Sequence, residues 1–198
     1  MNKNIGALFV TVAIGLSLAA NGEDAAGKER NLVRNPAFEE LDTSGMAVGW
    51  ARYNNMGQKA TNDCYLAIDT ETFKCLPLEG GGNAAKIVKN GGINTMLAQF
   101  GIAVEGGASY TLSMEHKESP GYSANIYVCV RQYDVGMKDI TGESYYFATD
   151  TTPDVEWKTF SKRLSVLPNA AFLDLHISPN GQGVCWVKNV KLIKNKLN

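Results

Sequence analysis

Glu115 and Asp174 are the carboxylates whose placement first raises chemistry. They sit at outward positions of two strand-like segments, SYTLSMEHK and AAFLDLHIS. A glycosidase needs two such groups about 5 Å or roughly 6.5–9.5 Å apart, one of them held protonated by burial. Alternation lets these two share a sheet face, but neither segment supplies the apolar surroundings that would raise a carboxyl pKa. The two histidines, His116 and His176, fall on opposite faces of their strands, which argues against a two-histidine metal site. Ser113 has no base at a recognisable spacing, and the patterns G-x-S-x-G, H-E-x-x-H and C-x-x-C are absent. The glycine-rich EGGGNAAK lacks the G-K-[ST] ending of a phosphate loop. An enzyme is not expected, and no residue is assigned to catalysis or to a metal.

Binding is the stronger reading. In SANIYVCVRQYD, Ala124, Ile126, Val128 and Val130 alternate with Asn125, Tyr127, Cys129, Arg131 and Tyr133. In AAFLDLHIS the inward set is Ala171, Leu173, Leu175 and Ile177, and Phe172, Asp174 and His176 face out. Tyr110, Leu112 and Met114 form the apolar set of SYTLSMEHK, opposite Ser113, Glu115 and Lys117. Three segments thus present a dry face and a second face rich in aromatics, charges and amides. Antiparallel sheets tolerate such residues on a solvated surface. The alternative is a shallow cleft in which tyrosines stack on sugar rings while charged and amide groups bond hydroxyls.

The elements that must carry these residues are short and β-like, separated by glycine-rich or polar turns. Candidate strands are NLVRNPAF with an edge-type proline, MAVGWARY, CYLAID, NAAKIVK, INTMLAQFGIAVE, SYTLSMEHK, SANIYVCVRQYD, VEWKTFSKRLSV, AAFLDLHIS and GVCWVKNVKLI. No 12-residue segment shows an apolar stripe at helical spacing. The pattern predicts an all-β sandwich.

The chain opens with MNKN, an apolar run from Ile5 to Leu18, and SLAA before a polar stretch. That order fits a signal peptide over residues 1–20, cleaved after Ala19 or Ala20. Residues 21–30 then form a polar spacer and residues 31–193 a single domain. The apolar run is short for a membrane span, which needs roughly 20 residues, so export without membrane insertion is expected, to the periplasm or beyond the cell. The formal charge is −1 with no basic run longer than Lys-Glu-Arg. Nucleic acid is therefore not expected as a partner, since phosphate neutralisation needs clustered cations. Cys64, Cys75, Cys129 and Cys185 all lie in the exported part. An even count in an oxidising compartment suggests two disulfides with three pairings open. Cys64 with Cys75 and Cys129 with Cys185 is one of these; a domain of this size also folds without bridges.

NLVRNPAFEE followed by Gly49-Trp50 resembles the N-terminal signature of carbohydrate-binding modules of the CBM4/9/22 type, jelly-roll β-sandwiches of the galactose-binding-like group. Other stretches are similar to family motifs in the same order. They are Gln99-Phe100, VEGGASYTLSMEHK, Trp157-Lys158-Thr159-Phe160 and the terminal GVCWVKNVKL. The resemblance spans residues 31 to 193. It implies a non-catalytic exported module that binds a polysaccharide or oligosaccharide across its concave sheet. The ligand-contacting set would be Tyr127, Arg131, Asp174 and His176, with Glu115, Gln99 and Asn125 secondary. Tyr53, Tyr65, Tyr122 and Tyr145 could add ring stacking from bordering stretches. No tryptophan falls on the expected cleft strands, which points to weak binding. Trp50, Trp157 and Trp186 are expected in the core. Family members often hold a structural calcium ion, and Glu39 matches one ligand. The acidic positions of the last strand are here Lys188 and Asn189, so calcium is disfavoured and Lys188 is expected to pair with Glu39 instead. The alternative reading is an exported structural or adhesin-like sandwich whose ligand is a protein.

Overall fold

The computed structural model describes residues 29–54, 64–69, 83–89, 95–121, 125–141, 145–149 and 155–196. The expected signal peptide lies outside them. Ten strands follow in chain order: β1 Ala51–Asn54, β2 Cys64–Asp69, β3 Ala84–Lys89, β4 Thr95–Ala103, β5 Ser109–Glu118, β6 Ile126–Tyr133, β7 Tyr145–Ala148, β8 Lys158–Ser165, β9 Phe172–Pro179 and β10 Gly183–Lys194. They form two five-stranded antiparallel sheets, β1-β4-β9-β6-β7 and β2-β3-β10-β5-β8. No helix occurs among the described residues. This is the all-β sandwich that the alternation predicts.

The inward sets read from the sequence hold for most members; Ala171 is only half-buried and Ala124 lies outside the described residues. Ile126, Val128 and Val130 of β6 and Leu173, Leu175 and Ile177 of β9 are almost fully buried. They meet Tyr110, Leu112 and Met114 of β5 and Cys185, Val187, Val190 and Leu192 of β10 in one apolar cluster. Burying side chains of this size contributes roughly 1.5–3 kcal/mol each. The void among Ile102, Leu112, Val130 and Leu173 is about 10 Å³, room for about one water-sized probe. A ligand has no place in this part of the core.

The opening segment departs from its expected strand. Asn31 makes one bridge, to Ile193. Beyond it Asn35 and Phe38 adopt positive φ values of 46° and 54°, and Pro36 has no N–H for a ladder. Asn35 tolerates the left-handed conformation because its side chain bonds its own turn. Its Nδ2 donates to the Glu40 carbonyl at 2.7 Å, and its Oδ1 accepts from Glu40 N at 3.3 Å. The result is a plug. Phe38 is fully buried with Trp50 edge-on at 5.2 Å, and the indole N–H donates to Arg34 O at 3.0 Å.

Three expectations are corrected here. Trp157 and Trp186 are not core residues; both are half-buried on the outer face of the second sheet, amid lysines. Cys129 and Cys185 are free thiols, because Cys129 faces outward on the first sheet while Cys185 is buried beneath the second. Cys64 begins β2 and Cys75 lies outside the described residues, so that pairing is untouched. Lys188 pairs with Glu115, Nζ to Oε2 at 3.1 Å, and not with Glu39, which is exposed.

Candidate functional site

The outer face of the first sheet is built on β6 and β9, whose register puts Tyr127 opposite Ser178, Cys129 opposite His176, Arg131 opposite Asp174 and Tyr133 opposite Phe172. Cross-strand pairs of this kind touch directly. On the outer side of β6, β7 sets Ala148 against Tyr127 and Tyr146 against Cys129. On the other side, β4 sets Ala98 against His176. The four primary candidates therefore share one face, on two adjacent strands.

Two aromatic pairs flank the polar centre. Tyr127 and Tyr146 meet edge to face at 6.5 Å, and Phe100 and His176 do so at 5.5 Å. Tyr146 is 63 % exposed and Phe100 39 %, so ring surface is presented to solvent on both sides. Phe100 reaches this position because β4 bulges between Gln99 and Ile102, with Gly101 at φ 64°. The freed N–H of Gly101 donates to Asp174 Oδ1 at 2.8 Å. Asp174 and His176 are thus buried beneath the surface. They shape the face more than they project from it.

Arg131 is the exposed cation of the centre. It lies opposite Asp174, within reach of the Tyr133 hydroxyl, and 3.4 Å from Asp139. That last contact is solvent-exposed and contributes little to stability, which leaves the guanidinium fork available for paired hydrogen bonds. Asp139 is held below the usual carboxylate range by the Thr141 hydroxyl and backbone N–H. Burial pushes the Tyr133 hydroxyl up, and the Asp174 carboxylate adds to the shift. Burial lowers His176, with Arg131 acting in the same direction and Asp174 against it. The imidazole is therefore neutral at pH 7. The Cys129 thiol is raised by burial, so it is neither thiolate nor nucleophile. The face offers hydrogen bonds and ring surface.

The secondary candidates divide. Asn125 stands at the start of β6 and accepts from Asn180 Nδ2 at 3.1 Å, at one end of this face. Gln99 does not reach it. It is fully buried and clamps Arg34, accepting from its N at 2.9 Å and donating to its O at 3.0 Å. Glu115 belongs to the other sheet, held by Lys188 and by Asn189 Nδ2 at 2.7 Å. Tyr53 and Tyr145 lie on strands of the first sheet, Tyr65 on the second, and Tyr122 outside the described residues. Phe100 and Tyr146 were not singled out individually as ligand contacts by the sequence. Tyr146 sits in an aromatic run, Tyr145-Tyr146-Phe147, without alternating neighbours to reveal its face. Phe100 depends on a bulge that no spacing announces. No group of three or more metal-ligating side chains clusters among the described residues.

No family model and no curated protein matches the chain. Solved structures do match it in fold. The enzymatically active domain of tailspike protein 4 from bacteriophage CBA120 superposes with a TM-score of 0.63 at 13 % identity, over 83 % of this chain and 21 % of that one. This chain thus spans about a fifth of that enzymatically active domain. The xylan-binding CBM22-1 domain of Paenibacillus barcinonensis Xyn10C gives 0.55 at 14 % identity, covering 88 % of this chain and 100 % of that one. A sugar binding protein of Bacteroides thetaiotaomicron, described as putative, gives 0.56 at 16 %, covering 84 % and 100 %. The fold is that of the carbohydrate-binding-module β-sandwiches.

Proposed function

We propose that the protein is a non-catalytic carbohydrate-binding module that holds a glycan across the outer face of β4, β9, β6 and β7. One observation carries the reading. Exposed rings stand on both sides of an exposed guanidinium whose surroundings are fixed by buried polar groups. A sugar ring has an apolar C–H face that suits Tyr127, Tyr146 and Phe100, and a rim of hydroxyls that suits Arg131, Tyr133 and Asn125. Burial weakens His176 as a base and holds the Cys129 thiol protonated, which favours binding over catalysis at these two described residues. Export fits this role, and no helix among the described residues is long and apolar enough to cross a membrane. The match to sugar-binding sandwiches supports the fold on which the reading rests.

A neutral and acidic glycan panel tests it, with residues 21–198 as the ligand-binding chain. One polysaccharide class should be retained, weakly. Tyr127→Ala and Arg131→Ala should each weaken that binding by about tenfold, about 1.4 kcal/mol, without lowering thermal stability by more than a few degrees. A folded protein silent across the panel would transfer the face to a protein partner.

A further inference from the structure

The second sheet carries a different surface. One row crosses three of its strands and ends beside a fourth, as lysine, tryptophan, lysine, tryptophan. Lys86 on β3 stands opposite Trp186 on β10, and Trp186 opposite Lys117 on β5. Beyond it lies Trp157, just before β8. The ammonium groups sit over the rings: Lys86 and Lys117 at 5.7 Å and 5.0 Å from the Trp186 centroid, Lys117 at 5.3 Å and Lys188 at 4.5 Å from that of Trp157. Cation–π contacts of this kind fix the position of otherwise mobile ammonium groups.

The next rows add to the charge. Lys188 neutralises Glu115. Exposed Lys191 lies opposite Ser113 on β5, and exposed Arg163 on β8 opposite Thr111. Among the described side chains of these rows Glu115 is the acidic one, while Asp69 holds the neighbouring β2 position by register. The whole chain has a formal charge of −1, so the excess of cations here comes from the fold's arrangement. No basic run betrays it in the sequence, because the five cations come from four strands.

We propose that this face is a second binding surface, for an acidic polysaccharide bearing carboxylates on its rings. Lys86 and Lys117 are two strands apart, about 10 Å at the usual strand spacing. Four residues along β5 from Lys117, the Ser113 hydroxyl lies opposite Lys191 on one side and Ser161 on the other, a set that matches a carboxylate beside sugar hydroxyls. Because ammonium groups cover the indole faces, the row gives no stacking platform for nucleic-acid bases. Its recognition element is spaced positive charge beside hydroxyl partners. The site lies on the opposite side of the sandwich from the proposed glycan face and does not depend on it.

The probes are sodium polygalacturonate, an uncharged galactan, and a single-stranded oligonucleotide, each titrated at two salt concentrations. Polygalacturonate should bind, and its affinity should fall roughly tenfold between about 50 and about 200 mM salt, the loss expected when some two cations release counterions. Lys86→Gln with Lys117→Gln should weaken it at least fivefold. Lys191→Gln with Arg163→Gln touches no indole and should flatten the salt dependence; it decides the matter if the first pair lowers stability. Both pairs should leave unchanged any binding that Tyr127→Ala weakens. Absence of polygalacturonate binding, binding indifferent to both pairs, or tighter binding of the oligonucleotide would overturn the proposal. Polygalacturonate binding that Tyr127→Ala and Arg131→Ala leave unchanged, with every other glycan of the panel silent, would instead sink the first-face reading and leave this one standing.

Discussion

Gln99 shows what a single buried amide does here. It replaces a strand partner for Arg34, satisfying both the N–H and the carbonyl of that residue from full burial. Gln99→Leu would leave two backbone groups without it, at about 1–3 kcal/mol each. Urea unfolding should show a loss of roughly 2–4 kcal/mol, with glycan affinity at the first face unaltered once the protein is folded. His176 makes a pH prediction. Its folded pKa lies below the ordinary 6.5 because of burial, with Arg131 reinforcing it. Above that value both states are neutral and its contribution is fully present. As pH falls through 6.5 the unfolded chain takes up the proton first, and stability declines until the folded pKa is passed. Comparing wild type with His176→Gln from pH 8 to pH 5 should show a steeper acid decline in the wild type; parallel curves would refute the assignment. Which side of its strand each residue occupies was legible from alternation for Tyr127, Arg131, Asp174 and His176. Depth was not. Asp174 has the outward parity expected of a ligand contact, and its burial as acceptor for a bulge amide is an arrangement set by β4.

At the scale of elements, most strands could be read directly. Alternation locates β5, β6 and β9 well because each has one dry face. The opening NLVRNPAF could not be read as a plug from its apolar residues, since Asn35 and Pro36 break the ladder after a single bridge. The assignment of strands to sheets was also hidden. Glu115 and Asp174 have the same outward parity, yet β5 and β9 lie in different sheets, so the carboxylate pair considered for catalysis is never formed. Trp186 had a legible parity too, alternating with buried Cys185 and Val187. Its lysine partners arrive from β3 and β5, and only sheet order brings them together. The turn between β4 and β5 gives a stability prediction. A Cβ on Gly106 would stand 2.1 Å from the Pro168 carbonyl oxygen, a contact that backbone must move to relieve. Gly106→Ala should therefore destabilise by more than the about 1–3 kcal/mol usual for core overpacking, measurable as a fall in thermal midpoint.

Across the whole molecule, two sheets share one core and turn chemically different surfaces outward. The free thiols follow from that plan. Cys129 belongs to an outer face and Cys185 to the interior, so peptide mapping of oxidised protein should recover no Cys129–Cys185 cross-link. The Cys185 thiol is raised by burial, with Glu118 adding to the shift, and should resist alkylation until the fold opens. The central claim is that the first sheet's outer face holds a glycan. Its most direct test is amide-shift mapping by NMR during titration with an oligosaccharide of the class retained on the panel. Perturbed amides should concentrate on β9, β6 and β7, around Arg131, Tyr127 and Tyr146, with β10 and β5 silent for an uncharged sugar. Shifts confined to β10 and β5, or none at saturating sugar, would contradict it.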